Sequence, residues 1–213
     1  MTAVAARYAD HRARYEYHQA DLTGMIGSIR DEARRIALRD VTPELMIEQL
    51  ADRVLSHAPE LWSPPSGERF DLVVCSGVLT QLQAKVRAAA DQPFGEKFPG
   101  QTRLLQSHRA WRRAGWHMAR RLEDAFVVHL AGLTASNGVI CLSDTVRVNW
   151  LTEAAGGTFT TEGAWIATRT ARLTDYLSPS AEIIAQDQWT WLRQQQEGPY
   201  WGRLYDVQAV AYR

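Results

Sequence analysis

Apolar positions in this chain follow two periods, and where one gives way to the other outlines a fold. The clearest signal is Arg69-Phe70-Asp71-Leu72-Val73-Val74-Cys75-Ser76-Gly77-Val78-Leu79-Thr80-Gln81-Leu82. A charged entry leads into an apolar run, small residues break it, and a helix-like pattern follows. A run without alternation predicts a strand covered on both faces. Small residues at its carboxyl end let a ligand or another backbone come close, and in an open parallel sheet ligands bind at that edge.

Upstream, residues 2–14 read as a polar helix, and Tyr15–Leu22 alternates like a strand that ends at Asp21 before the Thr23-Gly24 turn. Met25, Ile26, Ile29, Ala33, Ile36 and Ala37 recur at helical spacing. Thr42-Pro43-Glu44 starts a second helix, with Thr as cap, Pro in the first turn and an acid beside it. Ser63-Pro64-Pro65-Ser66-Gly67 reads as a loop. Downstream, Gln81–Ala90 is a predicted helix and Asp91–Gly100, with its prolines and glycines, a predicted loop. Residues 101–132 carry the longest helical pattern, and Ser136-Asn137-Gly138 reads as a turn. Val139–Val148 is a predicted strand, Thr160–Leu177 a helix, and Glu182–Arg193 and Arg203–Arg213 two strands joined by a turn containing Gly198-Pro199. Strand–helix alternation predicts an α/β chain, with a doubly wound parallel sheet and helices on both faces. The last two strands, joined without a helix, predict an antiparallel hairpin.

Composition narrows the class. The 213 residues suit one domain, 46% hydrophobic and 23% charged, with zero formal net charge. Neutrality argues against a general nucleic-acid binder and leaves room for a local basic patch. Cys75 and Cys141 sit in strand-like runs without metal-ligand spacing, so free thiols in a reducing compartment are expected. No apolar run has the length of a membrane span and there is no secretory h-region, which predicts a cytoplasmic protein with no membrane partner.

The segment Phe70-Asp71-Leu72-Val73-Val74-Cys75-Ser76-Gly77-Val78-Leu79-Thr80-Gln81-Leu82 resembles the fourth strand of the class I (Rossmann-like) S-adenosylmethionine-dependent methyltransferases. The terminal hairpin is similar to that family's ending, whose last strand inserts antiparallel between its neighbours. The resemblance covers roughly residues 1–22 and 68–213, leaving residues 23–67 as a helical insertion, a lid, a partner surface or a stabilising elaboration. It implies S-adenosylmethionine as cofactor, methyl transfer to an unidentified acceptor, and cofactor contacts from Asp21, Leu22, Cys75, Ser76, Gly77 and Val78. Asp21 would take the adenine amino group, and Cys75–Leu79 would pass the methionine and adenine moieties. Read without the resemblance, Asp21 is a turn or cap residue.

One motif of that family has no counterpart here. Its first strand ends in a glycine-rich turn, and Gly24-Met25-Ile26-Gly27 has neither the spacing nor an apolar strand before it. The family's sheet order places its first two strands between the third and the fourth. The expectation is therefore an incomplete methyltransferase-like sheet with an exposed edge. It would belong to an incorrectly started reading frame, or to a fragment needing a homo- or hetero-oligomeric partner.

Catalytic candidates are sparse. Asp144, at the end of the Val139 strand, faces the ligand edge if it is not a helix or turn cap. His108, on the apolar stripe of the long helix, is a candidate base or a core histidine, and His117 and His129 read as structural or surface residues. No metal constellation is visible. Arg103, Arg109, Arg112, Arg113, Arg120 and Arg121 make the long helix basic, with Trp111 and Trp116 interleaved. That pattern fits an acidic or RNA acceptor, or a solvated face with snorkelling arginines. Function thus divides between a methyltransferase, a non-catalytic methyltransferase-like module and an RNA-binding protein.

Overall fold

The computed structural model describes residues 20–65, 67–154, 157–168, 170–197 and 200–213. Their order is α1 (Ile26–Ala37), α2 (Pro43–Ser56), β1 (Phe70–Ser76), α3 (Leu79–Lys97), α4 (Thr102–Ser107), α5 (Arg109–Leu133), β2 (Thr134–Ala154), β3 (Thr158–Ile166), a 3-10 turn (Leu173–Tyr176), β4 (Ile183–Glu197) and β5 (Tyr200–Tyr212). The predicted helix over 2–14, most of the predicted 15–22 strand and the Gly198-Pro199 turn lie outside the described residues.

The fold is α/β with a mixed, open sheet of five strands in the order β1-β2-β5-β4, and β3 pairs with the far part of β2. β1 and β2 are parallel, with Cys75 opposite Leu142 and Ser76 opposite Ser143. β5 is antiparallel both to β2 and to β4. The predicted terminal hairpin is therefore present, and its second strand is inserted between β2 and the first.

Helices pack on one face of this sheet. Cys75, Ile140, Leu142, Val210 and Tyr212 share that face and are buried with α3, α5 and the 3-10 turn. On the other face Leu72 is 58% and Val74 65% exposed, and Trp189 and Trp191 also stand open to solvent. Helices on both faces, the sequence expectation, are thus not found among the described residues: the unalternating apolar run of β1 is covered once, not twice.

α1 and α2, the predicted 23–67 insertion, pack on α3 and α5. They bury Ile29, Ala33, Ile36, Met46, Ile47, Leu50 and Val54 in the common core. Their starts follow local rules. The Thr42 hydroxyl accepts from Leu45 N at 3.3 Å, with Pro43 in the first turn. α1 ends against α3, where Lys97 Nζ donates to Ala37 O at 2.7 Å and Arg39 O at 2.8 Å, meeting orphan carbonyls of a helix terminus.

Four predicted elements are corrected. The 91–100 loop is largely helix, because α3 runs on to Lys97 through Pro93. Pro93 and Phe94 are buried, and Phe94 meets Phe98 at 5.2 Å, so apolar burial overrides the proline penalty. The single 101–132 helix is broken at His108, whose extended backbone (φ −63°, ψ 130°) separates α4 from α5. The predicted 136–138 turn is extended backbone of β2, which begins at Thr134. Gly138 allows this, because a Cβ there would lie 2.8 Å from Phe70 O. The predicted 160–177 helix is β3 followed by the 3-10 turn. There the long free edge of β2 takes up β3, with Thr152 and Thr160 hydroxyls 3.0 Å apart across the pair.

Candidate functional site at the carboxyl end of the parallel pair

β1 ends at Ser76, opposite Ser143, and turns away at Gly77, whereas β2 runs on to Ala154, so Asp144, expected from the sequence at a strand end, lies within β2 just past the parallel pair. Gly77 takes φ +66° and donates its N–H to Ser143 O at 2.8 Å, closing the end of β1 onto β2. A left-handed residue is needed at this turn, and glycine supplies it without strain. A Cβ at Gly77 would meet nothing within 4 Å, so the turn faces open space. Ser143 Oγ donates to Ser76 Oγ at 3.0 Å, and both hydroxyls lie at this edge. α3 begins two residues beyond Gly77, at Leu79.

Asp144 ties β2 to that helix. It is 1% exposed. Oδ1 accepts from the Thr80 hydroxyl at 2.8 Å and from Thr145 N at 2.7 Å, and Oδ2 accepts from Thr80 N at 3.4 Å. Burial raises its pKa above the ordinary carboxylate value, against the opposing bonds from Thr80, Thr145 and Leu79. The residue thus caps the start of α3 from a neighbouring strand, one of the two roles its sequence position left open.

The other sequence-predicted residues are dispersed. Cys75, Ser76, Gly77 and Val78 are contiguous at the end of β1, with Cys75 turned into the helical face. Among the described residues, Asp21 and Leu22 lie in the turn that leads into α1. Asp21 accepts from Thr23 N, Thr23 Oγ1 and Ile26 N at 2.7–2.9 Å, nucleating α1 as a turn and cap residue. Leu22 O accepts from Trp62 N. These bonds join the 20–26 turn to α1 and to the loop after α2, and the β1–β2 edge has its own separate set.

His108 sits at the α4–α5 junction with its Nδ1 enclosed and unpartnered. His129 Nε2 lies 2.8 Å from Trp62 O, and His117 meets the Trp116 ring edge-on. Cys75 and Cys141 are free. They lie one register step apart on opposite faces of the sheet, since Cys141 pairs with Val74.

Two hollows flank the strand ends. One, about 470 Å³, runs over the open face between Val74, Cys141, Ser143, Ala185 and Ala211. The other, about 690 Å³, lies between the segment after β3 and the β4–β5 pair, with Arg147, Arg172, Gln188 and Asp206 on its walls. Gln208 organises the second. Its Oε1 accepts from Leu173 N at 3.0 Å and its Nε2 donates to Ala171 O at 3.2 Å. Gln208 falls in the predicted 203–213 strand but Arg172 in the predicted 160–177 helix, so the sequence did not signal their meeting; the segment after β3 comes to Gln208 only because 158–166 is a strand on β2. Among the described residues no group of three His, Cys, Asp or Glu side chains is placed to hold a metal, and no helix is long and apolar enough to cross a membrane.

Comparison with protein-family models, with curated proteins and with solved structures gives no match to this chain.

Proposed function

We propose that this chain carries the carboxyl half of a methyltransferase-like sheet and serves S-adenosylmethionine-dependent methyl transfer in the cytoplasm. The observation behind this reading is the strand order: β5 lies antiparallel between β2 and β4, which run parallel to each other and to β1. The class I methyltransferases, which the chain resembles in sequence, end in that same arrangement. The Gly77 turn and the Ser76 and Ser143 hydroxyls supply a backbone edge and polar groups where such a cofactor would lie.

When bound, S-adenosylmethionine supplies an electrophilic methyl group for in-line displacement. The chain's contribution is positioning. Ser76 and Ser143 present hydroxyls, the bare Gly77 turn admits close approach, and Asp144 holds α3 in register with β2. Asp21 and Leu22 have no part in this proposal, because their bonds go to α1 and to the loop after α2. Asp144 and His108 are assigned no proton transfer.

The open face favours a second reading, a non-catalytic methyltransferase-like module. Leu72 and Val74 are exposed, and β1 pairs only with β2 among the described residues, so another chain could complete the sheet. Calorimetric titration of S-adenosylhomocysteine separates the two. Saturable binding to the chain, or to the product of a reading frame extended upstream, lost in Gly77→Val while the circular dichroism spectrum is retained, supports the first. Absence of binding in both proteins overturns it and leaves the module.

A further inference from the structure

The geometry points to a binding surface for single-stranded nucleic acid on the outer face of α5, in a chain whose net charge is zero. Arg109, Arg113, Trp116 and Arg120 recur at steps of four, three and four residues, so one face of the helix presents all four. All four are exposed, as is the adjacent Arg112. The opposite face holds Trp111, Ala114, Met118 and Leu122 in the core, so the stripe cannot turn inward without unpacking the helix. Among the described residues, the guanidinium groups of Arg109, Arg112 and Arg113 form no ion pair or hydrogen bond, so their charges are available to a partner.

Trp116 decides what kind of anion suits this stripe. It is 55% exposed, and the Arg120 guanidinium lies 4.7 Å from its ring centroid. A solvent-facing indole backed by a guanidinium is a stacking platform for a planar base. An acidic peptide would use the arginines and leave the indole idle. A single strand uses both, with its phosphates along the arginines and a base on Trp116. At about 1.5 Å rise per residue the stripe spans about 16 Å, enough for a few nucleotides. The remaining arginine of this half, Arg121, is committed to the fold, donating to Val54 O at 2.7 Å. This surface does not depend on methyl transfer, and its readout is separate from cofactor binding.

The test is fluorescence anisotropy of labelled twelve-residue oligouridylate and oligothymidylate titrated with the full chain at several salt concentrations. Saturable binding is expected, with a log–log salt slope near −2 for three phosphate contacts, so that fourfold more salt weakens binding about 20-fold. Arg109→Gln/Arg113→Gln/Arg120→Gln should flatten the slope, and Trp116→Ala should weaken binding about tenfold. Arg34→Gln/Arg39→Gln, equally exposed but elsewhere, should leave it within twofold. Urea midpoints verify that each variant is folded. A preference for either oligonucleotide, or parity, identifies the sugar and keeps the proposal. No binding at low salt, binding unchanged in the triple variant, or equal competition by polyglutamate with no effect of Trp116→Ala would overturn it.

Discussion

Asp144→Ala tests the structural role of the most buried acid at the candidate site. The substitution removes two short hydrogen bonds, 2.8 Å from the Thr80 hydroxyl and 2.7 Å from Thr145 N, and one long one of 3.4 Å from Thr80 N. Bonds to a charged acceptor contribute a net of about 1.5–3 kcal/mol each at ordinary sites. Here desolvation is large, because burial raises the Asp144 pKa in spite of those bonds. The net contribution should therefore lie near that of a good helix cap plus one tertiary tie, about 2 kcal/mol.

Urea unfolding followed by circular dichroism measures this, and Thr80→Val completes a double-mutant cycle with an expected coupling of about 1 kcal/mol. The pH dependence has an unusual sign for an aspartate. The folded pKa is above the unfolded one, so the native state keeps a proton that the unfolded chain has released. Stability from this group is therefore present at acid pH and falls as pH rises from about 4 to the folded pKa. Asp144→Asn should flatten that limb. A loss under 0.5 kcal/mol in Asp144→Ala, or zero coupling to Thr80, would refute the assignment.

Three further predictions follow from single atoms. The Tyr212 hydroxyl is enclosed without a partner, so Tyr212→Phe should stabilise by about 1 kcal/mol in urea melts. Burial, with the nearby Cys75, pushes the Tyr212 pKa up to about 12 from 10.0; the parent should lose stability as pH rises through that interval and the phenylalanine variant should not share this loss. Cys141 borders the open-face hollow, whereas Cys75 is buried and its thiol pKa raised by burial, so a disulfide reagent should modify Cys141 first and Cys75 only on unfolding. Gly138→Ala would set a Cβ 2.6 Å from Thr134 Cγ2 and 2.8 Å from Phe70 O, prying β1 from β2 at a cost of about 1–3 kcal/mol in chemical unfolding.

Elements governed by neighbours along the chain were legible in the residues. The Thr42-Pro43 start of α2, the spacing of Ile29, Ala33 and Ile36 in α1, the β1 run and its Gly77 exit, and the terminal hairpin all rest on contacts within a few residues or on one strand following another. Tertiary structure decided the rest. Thr160 reads as a helix start until β2 offers an edge, and Pro93 reads as a breaker until Phe94 finds a core. Asp21 and Asp144 both read in sequence as acids closing a strand-like segment, the first segment alternating and the second apolar. Which acid caps its own helix and which caps another element's depends on groups five residues away in one case and sixty-four in the other. No local pattern encodes the single-faced packing that leaves Leu72 and Val74 open, because an apolar residue buried once and one buried twice look the same along the chain. The residues determined what each segment could become, and burial and strand pairing across long separations decided which possibility was realised, since apolar contact and register are properties of the whole chain.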